Sequence, residues 1–355
     1  MAKALTDDFQ SSLEQLVAGE IGRGGVRETV LCLARAGQTA CAASGTWQDS
    51  PVDADTPFLL ASTSKLFVTA MILRLASDRA LSLDDPVVRF FPDGALDGLH
   101  RWRGRDRTDA ITLYHLLTHS SGLPDYFEGK RRHGPRLADA LFAGQDRSYG
   151  LDDVIAWTRD EMTPAFPPGA GRRALYSDTN FYLLTEIVAR VAGLDPDAAL
   201  ERFVTGPLGL TATGLFRPGT AALPLRLGDK VVDIPHALAA MPGDGGAVST
   251  AREMMSFLQA FLGGRLFAPR FLDRLADWRR VFFPLQAGLG VLRFRHPAFL
   301  PPFRRGLDFI GHSGICGAFA FACPARDLFL TGTVNQLQNR SRPYRLMIRA
   351  ALAAG

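Results

Sequence analysis

Strand-like segments near both ends of the chain, separated by a long helical stretch, constrain the fold most. Residues 30–33 and 39–42, joined across 36–38, predict a β-hairpin near the N-terminus. Strand-like segments return towards the C-terminus, at 287–294, 308–310, 318–322 and 328–334. The Pro-containing turn at 324–327 predicts a second hairpin there. One sheet built from both ends of the chain requires a large insertion between its halves.

Helical patterns occur behind a Thr6 or Asp7 cap at the chain start, at 111–117, at 181–191 before Gly193, at 254–262 and at 342–353, while 213–242 is irregular. The sequence therefore predicts an α/β (α+β) fold. In it, residues 1–82 and 243–355 form a discontinuous domain with an antiparallel sheet flanked by helices. Residues 83–242 form an inserted, mainly helical domain, and a cleft between the two is a natural place for a site.

Composition narrows the class of protein. The 355 residues are 47% hydrophobic and 21% charged, as in ordinary globular proteins. A net charge of +4 gives no reason to expect a nucleic-acid partner, and no apolar run is long enough to span a membrane. Because the N-terminus lacks the apolar core of a secretory signal, we expect a cytoplasmic enzyme. Residues 100–107 carry one histidine and four arginines, typical of a solvated basic loop or of a patch for an acidic substrate.

The cysteines and histidines give no metal signature. Cys32, Cys41, Cys316 and Cys323 lack C-x-x-C spacing, and without an export signal we expect four buried, reduced thiols. His115 and His119 have a metal-compatible spacing on a helix, but no third ligand is evident. No dinucleotide, Walker A or zinc-protease motif is present. We therefore expect neither a metal nor a cofactor.

Ser62 and Lys65 form an S-x-x-K pair at the start of an apolar helix. Residues three apart on a helix lie on one face, so the lysine amine can reach the serine hydroxyl. A serine becomes an acylating nucleophile only when a base or cation lies beside it. The helix that follows is apolar nearly all round, which indicates a buried and rigid mount.

Two further segments supply partners for this serine. Tyr176 lies in a Tyr-Ser-Asp loop before the helix at 181–191, and it can act as an acid or base if a cation such as Lys65 lowers its pKa. Residues 311–314, Gly-His-Ser-Gly, lie between two apolar strands, where glycine permits close approach of the backbone to a ligand. Ser313 is not a nucleophile elbow, because Ile315 replaces the second glycine of G-x-S-x-G.

The order of S-x-x-K at 62, Y-S-[ND] at 176 and H-S-G at 312 resembles the three motifs of the serine β-lactamase-like hydrolases. The most similar branch contains class C β-lactamases, D-alanyl-D-alanine carboxypeptidases, D-aminopeptidases and related esterases. Further stretches typical of that family stand at 83–87, 91–92, 115–124, 168–169 and 207–210. The resemblance runs from about residue 25 to 340.

The resemblance implies Ser62 as the acylated nucleophile, with Lys65 as its proton acceptor or electrostatic partner. It implies that Tyr176 shuttles the proton to the leaving group and activates water. The backbone N–H groups of Ser62 and Ile315 would form the oxyanion hole. His312, Ser313 and Gly314 would form the strand beside the substrate, where many relatives have lysine in place of His312.

Asp178 departs from the β-lactamases of this branch, which have asparagine there. An ionised aspartate only accepts hydrogen bonds and repels an anionic β-lactam. We therefore predict an esterase or amidase that acts through an acyl-enzyme on a small ester, amide or lactam. A β-lactamase or D-peptidase, an acyltransferase and an inactive binding module remain as alternatives, and the sequence leaves the oligomeric state open.

Overall fold

The computed structural model describes residues 7–296 and 306–355. The α-helices of the described residues are α1 Asp7–Ala18, α2 Lys65–Ser77, α3 Leu113–Leu117, α4 Leu137–Phe142, α5 Leu151–Asp160, α6 Asp178–Ala192, α7 Pro196–Leu200, α8 Gly206–Leu208, α9 Pro235–Ala239, α10 Ala251–Leu262 and α11 Arg342–Ala353. The Thr6 cap predicted for α1 lies outside the described residues.

Eight strands form the main sheet, and the other strands of the described residues are two or three residues long. They are β1 Thr29–Arg35, β2 Gln38–Ser44, β3 Thr46–Trp47, β4 Ser50–Pro51, β5 Phe58–Leu59, β6 Arg101–Trp102, β7 Arg105–Asp106, β8 Gly214–Leu215, β9 Arg226–Leu227, β10 Lys230–Val231, β11 Ala247–Ser249, β12 Arg279–Phe282, β13 Leu285–Ala287, β14 Leu292–His296, β15 Leu307–Ser313, β16 Ala318–Cys323 and β17 Leu328–Thr333.

The main sheet has the order β12-β13-β14-β15-β16-β17-β1-β2, and every neighbouring pair is antiparallel. The β1–β2 hairpin from the N-terminal part thus joins strands from the C-terminal part through the β1–β17 pair. Both predicted hairpins are confirmed, and Asp327 closes the second with a φ of 53°. The prediction of one antiparallel sheet built from both ends of the chain is confirmed.

Helices cover both faces of this sheet. On one face α1 and α11 pack together, and their apolar residues, among them Leu13 and Met347, contact Leu31, Phe319 and Phe321 of the strands. On the other face α10 packs on β1 and β17, and α2 lies next to β15. The nearly all-apolar α2 is buried along its length, as its composition predicts.

Residues 83–242 contain helices α3 to α9, most of them short except α5 and α6, and strands of two residues each. Helix α6 is longer than predicted and ends where expected, at Gly193 with a φ of 65°. The predicted helix at 111–117 begins only at Leu113, because Thr112 caps it. The domain boundaries at 82/83 and 242/243 stay a prediction. The basic residues of β6, β7 and their turn, Arg101, Arg103 and Arg105, are exposed, whereas His100 is buried.

The prediction of one strand over 287–294 is wrong. The chain turns between β13 and β14, and Gly290 has a φ of 72°. A Cβ on Gly290 would lie 2.2 Å from the Thr69 hydroxyl oxygen on α2, and one on Gly288 would lie 2.1 Å from the Leu275 carbonyl oxygen. Gly290 therefore lets a tight turn pack closely against α2, and Gly288 lets it pack against Leu275, which apolar alternation alone does not indicate.

The expectation of four reduced thiols is also wrong. Cys32 and Cys41 form a disulfide, with their Cα atoms 4.1 Å apart, whereas Cys316 and Cys323 are free and buried. The physical reason is the register of the β1–β2 hairpin, which places the two cysteines directly opposite each other. Among the residues described, no helix is long and apolar enough to cross a membrane.

Candidate active site

Ser62 lies on a short 3₁₀ turn, Ala61–Ser64, between β5 and α2. Two contacts with β11 hold this turn: the Leu60 N–H donates to the Ala247 carbonyl at 2.9 Å, and the Ala247 N–H donates to the Ser64 hydroxyl at 3.2 Å. Ala61 has a φ of 45°, a region that residues with a side chain rarely adopt. Such local strain persists only where surrounding contacts fix the backbone, and it is concentrated at functional sites.

Lys65 opens α2 and is completely buried. Its Nζ lies 2.7 Å from Asp178 Oδ1 and donates to the Asp244 carbonyl oxygen at 2.6 Å. Burial by itself lowers the pKa of this ammonium, but the facing Asp178 carboxylate and other nearby acidic groups raise it above its ordinary value. Lys65 is therefore a cation in the free protein, held in place by two acceptors.

The Tyr176 hydroxyl forms hydrogen bonds with the side chains of both Ser62 and Lys65. Lys65 Nζ lies 5.3 Å from the centre of the tyrosine ring. The sequence predicts that Lys65 lowers the pKa of this phenol, and the ammonium does act in that direction. Burial has the larger effect, and the Asp178 charge adds to it, so the pKa of Tyr176 is raised. The resting tyrosine is a neutral phenol that can pass on a proton while receiving another.

The sequence analysis considers His119 only as a possible metal ligand, but in the structure its ring packs against Tyr176. Their rings are stacked with centres 4.5 Å apart. The Ser177 N–H donates to His119 Nδ1 at 3.1 Å, so this nitrogen is the acceptor and Nε2 carries the proton. Burial and the nearby Lys65 charge hold the pKa of His119 well below its usual range. His119 therefore supports Tyr176 as a neutral ring.

Two buried aspartates, Asp178 and Asp244, lie beside the lysine, a half-buried third, Asp125, lies beside Asp178, and the sequence analysis found only Asp178. Asp125 accepts from the Asp178 N–H at 3.2 Å, and burial with the Asp178 charge raises its pKa well above the ordinary value. Burial, followed by the Asp178 charge, raises the pKa of Asp244 to about 7. The Tyr126 hydroxyl donates to Asp244 Oδ2 at 2.5 Å. Glycines flank Asp244 on both sides, and this pattern in the sequence indicates that the backbone packs closely there. A Cβ on Gly243 would lie 1.9 Å from the Thr185 hydroxyl oxygen.

The end of β15 lies against the Ser62 turn. A Cβ on Gly314 would lie 2.2 Å from the Leu60 carbonyl oxygen, so glycine permits this close approach. Ser313 shares a 2.5 Å hydrogen bond with the Tyr344 hydroxyl on α11. Ile315 follows and lines the same cavities as Ser62. The two residues whose N–H groups are expected to form an oxyanion hole are thus on neighbouring walls.

His312 is buried beside Tyr176, with the ring centres 6.0 Å apart. Its Nδ1 lies 3.0 Å from the Ser313 carbonyl oxygen and therefore donates to it. Burial, with a smaller contribution from Lys65, lowers the pKa of His312 to about 3. The ring is neutral at physiological pH and packs beside the tyrosine.

Two cavities meet at Ser62. The narrow cavity, of about 40 Å³, is lined by Asp178 and Asp244 and by apolar residues that include Phe127, Phe142 and Met241. The wide cavity, of about 520 Å³, is lined mostly by apolar side chains from β12 to β14 and α11, among them Val281, Phe282, Phe294 and Ile348. Tyr176 lies in the wall of the wide cavity. Among the described residues, no group of three or more His, Cys, Asp or Glu side chains fits a metal ion.

Comparison of this fold with solved structures shows the class of protein. The D-amino acid amidase from Ochrobactrum anthropi SV3 superposes with a TM-score of 0.79, at 22% identity, over 98% of each chain. Among curated proteins, the D-alanyl-D-alanine-carboxypeptidase/endopeptidase AmpH of Escherichia coli K12 is 26% identical over 60% of this chain and 51% of its own length. The esterase EstB of Burkholderia gladioli is 35% identical over 46% of this chain and 40% of its own length.

The fold is therefore that of the β-lactamase and penicillin-binding-protein class, and the members similar to this chain include an esterase, an amidase, a carboxypeptidase and acyltransferases. The model of the Beta-lactamase family matches residues 13–354, and the chain belongs to that family. The match with the curated relatives spans about half of their length or less.

Proposed function

We propose that this protein is a serine hydrolase that forms an acyl-enzyme on Ser62, with a small ester as its substrate. The observation that carries the proposal is the Tyr176 hydroxyl, which bonds both Ser62 and Lys65 where the two cavities meet. A nucleophile with a bound proton carrier and a fixed cation is the arrangement that acyl transfer requires. Hydrolase relatives of the same family support the reaction class.

In the proposed reaction Ser62 Oγ attacks the ester carbonyl carbon while its proton passes to the Tyr176 oxygen. Tyr176 releases its own proton to the alcohol that leaves, so no free tyrosinate accumulates. The Lys65 ammonium stabilises the charge that develops on the tyrosine oxygen, and the N–H groups of Ser62 and Ile315 stabilise the oxyanion. Water then follows the same proton route in reverse and releases the acid.

An ester is favoured over a β-lactam by the charges at Ser62. Asp178 and Asp244 line the narrow cavity, and a substrate carboxylate placed there would meet like charge. The wide cavity accepts a bulky apolar group. The similarity to EstB agrees with this preference.

The test compares the wild type with Ser62→Ala on 4-nitrophenyl butyrate, nitrocefin and D-phenylalanine amide, with intact-protein mass spectrometry. We expect butyrate turnover and a butyryl mass shift in the wild type, and loss of both in Ser62→Ala. Ser256→Ala, on the exposed side of α10, is the matched control with wild-type activity. Retained turnover in Ser62→Ala contradicts the assignment of the nucleophile. Faster use of nitrocefin or the amide contradicts the ester preference, and an ester formed with added butanol identifies acyl transfer.

A further inference from the structure

A third cavity, of about 690 Å³, lies beside the candidate active site. We call it the arginine groove, because its charged lining residues are Arg172, Arg173 and Arg280. The other described residues that line it are apolar, apart from Gln286 and the Trp278 indole, and no carboxylate is among them. Concave surfaces lined by one sign of charge concentrate the potential and attract ligands of the opposite sign.

The backbone forces two of these cations together. Arg173, in the loop before Tyr176, forms a parallel β-bridge with Arg280 on the edge strand β12. Residues paired in this way have side chains on the same face, where like charges destabilise the pairing. The Arg172 Nη2 donates to the Trp278 carbonyl oxygen at 3.3 Å, and Arg173 lies 4.6 Å from the centre of the Phe166 ring.

Some other exposed arginines of the described chain are balanced by a carboxylate. Arg27 pairs with Asp229 and Arg252 with Asp55, with nitrogen–oxygen distances of 2.7 Å and 2.8 Å. The three arginines of the groove have no such ion pair within residues 7–296 and 306–355. They therefore leave several guanidinium donors directed at one concave surface, which suits a carboxylate or a phosphate.

The arginine groove is continuous with the site. Val281 lines both the groove and the wide cavity. Leu175 lines the groove, and the next residue, Tyr176, lines the wide cavity. Tyr176 is three positions after Arg173, which limits their Cα distance to about 10 Å. A substrate of moderate length bound at Ser62 can therefore place one end among the arginines.

We propose that the arginine groove binds an anionic group of the substrate, a carboxylate or a phosphate, while the ester carbonyl lies at Ser62. The inference rests on the proposed esterase function and adds the charge of the substrate to it. The protein then prefers amphiphilic esters, with an apolar part in the wide cavity and an anionic end in the groove. The guanidiniums act through substrate binding, so their loss raises KM more than it lowers kcat.

The test uses matched pairs of esters that differ only in charge. One series consists of 4-nitrophenyl half-esters of dicarboxylic acids of increasing length, compared with their neutral methyl diesters. A second series places the carboxylate on the phenol that leaves, and phosphonate analogues of both distinguish the two anions. We expect kcat/KM for the charged member of at least one series to exceed that of its neutral partner by about tenfold at low salt. The preference should weaken as ionic strength rises.

Substitutions of the three arginines test whether the arginine groove causes this preference for charged esters. Arg280→Gln alone should reduce the preference, and Arg172→Gln, Arg173→Gln and Arg280→Gln together should bring the ratio close to one while turnover of the neutral ester is retained. Arg265→Gln, at an exposed arginine beyond α10, is the control. A ratio near one in the wild type, or a ratio that survives the triple substitution, overturns the proposal and leaves the esterase function intact. Failure of the wild type to hydrolyse any of these esters through Ser62 overturns both.

Discussion

The two cavities that meet at Ser62 differ in size and in electrostatic character. The narrow one is bounded by Asp178 and Asp244, which belong to the buried network around Lys65. The wide one, about 520 Å³ against about 40 Å³, has mostly apolar walls from the edge of the sheet and from α11. We infer from this difference that the narrow side holds the charged groups that control proton transfer, and that the wide side selects the substrate by shape. Substitutions on the two sides should therefore have different kinetic effects.

The largest effect is expected at Tyr176, which lies in the wall of the wide cavity beside Ser62. Tyr176→Phe removes the hydroxyl that bonds Ser62 and Lys65 but keeps the ring that packs on His119. The kcat for 4-nitrophenyl butyrate should fall by roughly 10²–10⁴ because proton transfer loses its carrier, while KM changes little. Stopped-flow and steady-state kinetics measure both values.

Tyr182→Phe is the matched control for this prediction. Tyr182 is buried on α6 and does not line either cavity, so its variant should retain wild-type kcat. A kcat of Tyr176→Phe within a fewfold of the wild type would show that another group carries the proton.

The sequence predicts the parts of the site that local patterns encode. Ser62 and Lys65 are one helical turn apart, and the structure brings Tyr176 and the strand at 312–314 to the same place. Asp244 and His119 were not found in these roles, because their contacts with Lys65 and Tyr176 arise only when distant segments pack. The balance of burial and charge that raises the pKa of Tyr176 depends on the same packing.

The fold likewise has some features that local sequence patterns predict and others that depend on the packing of distant segments. Alternating apolar residues predict the hairpins, and Gly193 predicts the end of α6, because these signals act within a few residues. The turn at Gly288 and Gly290 and the disulfide between Cys32 and Cys41 depend on a neighbouring helix and on strand register. Neither can be obtained from composition or from spacing along the chain.

A smaller effect is expected when the wide cavity is filled. Ile348 lines this cavity from α11, and Ile348→Trp should reduce its volume. The kcat/KM for an ester with a bulky apolar group should fall by about tenfold, while that for an acetate ester stays near the wild-type value. A tenfold change in kcat/KM corresponds to the loss of burial of about two methylene groups of the substrate.

Leu352→Trp provides the comparison for Ile348→Trp. Leu352 is one turn further along α11 and is exposed, so the same substitution there adds a large ring outside the cavity. Equal losses for acetate and bulky esters in Ile348→Trp would indicate general damage to the site and would contradict selection by the shape of this cavity.

The remaining effect concerns the charged side, and it is measured on stability and not on turnover. The pKa of Asp244 is about 7 in the folded protein, against about 4 for an unfolded aspartate. Between these two pH values the folded protein holds a proton that the unfolded chain has released, so its free energy of unfolding falls as pH rises from about 4 to about 7. Above pH 7 the loss is complete. Asp244→Asn keeps an acceptor for Tyr126 and removes this titration.

Urea unfolding at several pH values tests this expectation. The free energies of the wild type and Asp244→Asn should be similar near pH 4, and the variant should be more stable by roughly 4 kcal/mol at pH 8. Asp229→Asn, at an exposed carboxylate paired with Arg27, should keep the wild-type slope. A variant as pH-dependent as the wild type would mean that Asp244 is already ionised below pH 7, so that the single Lys65 ammonium faces two carboxylates. The narrow cavity would then carry a net negative charge at neutral pH, and repulsion of anionic substrates from that side would be stronger.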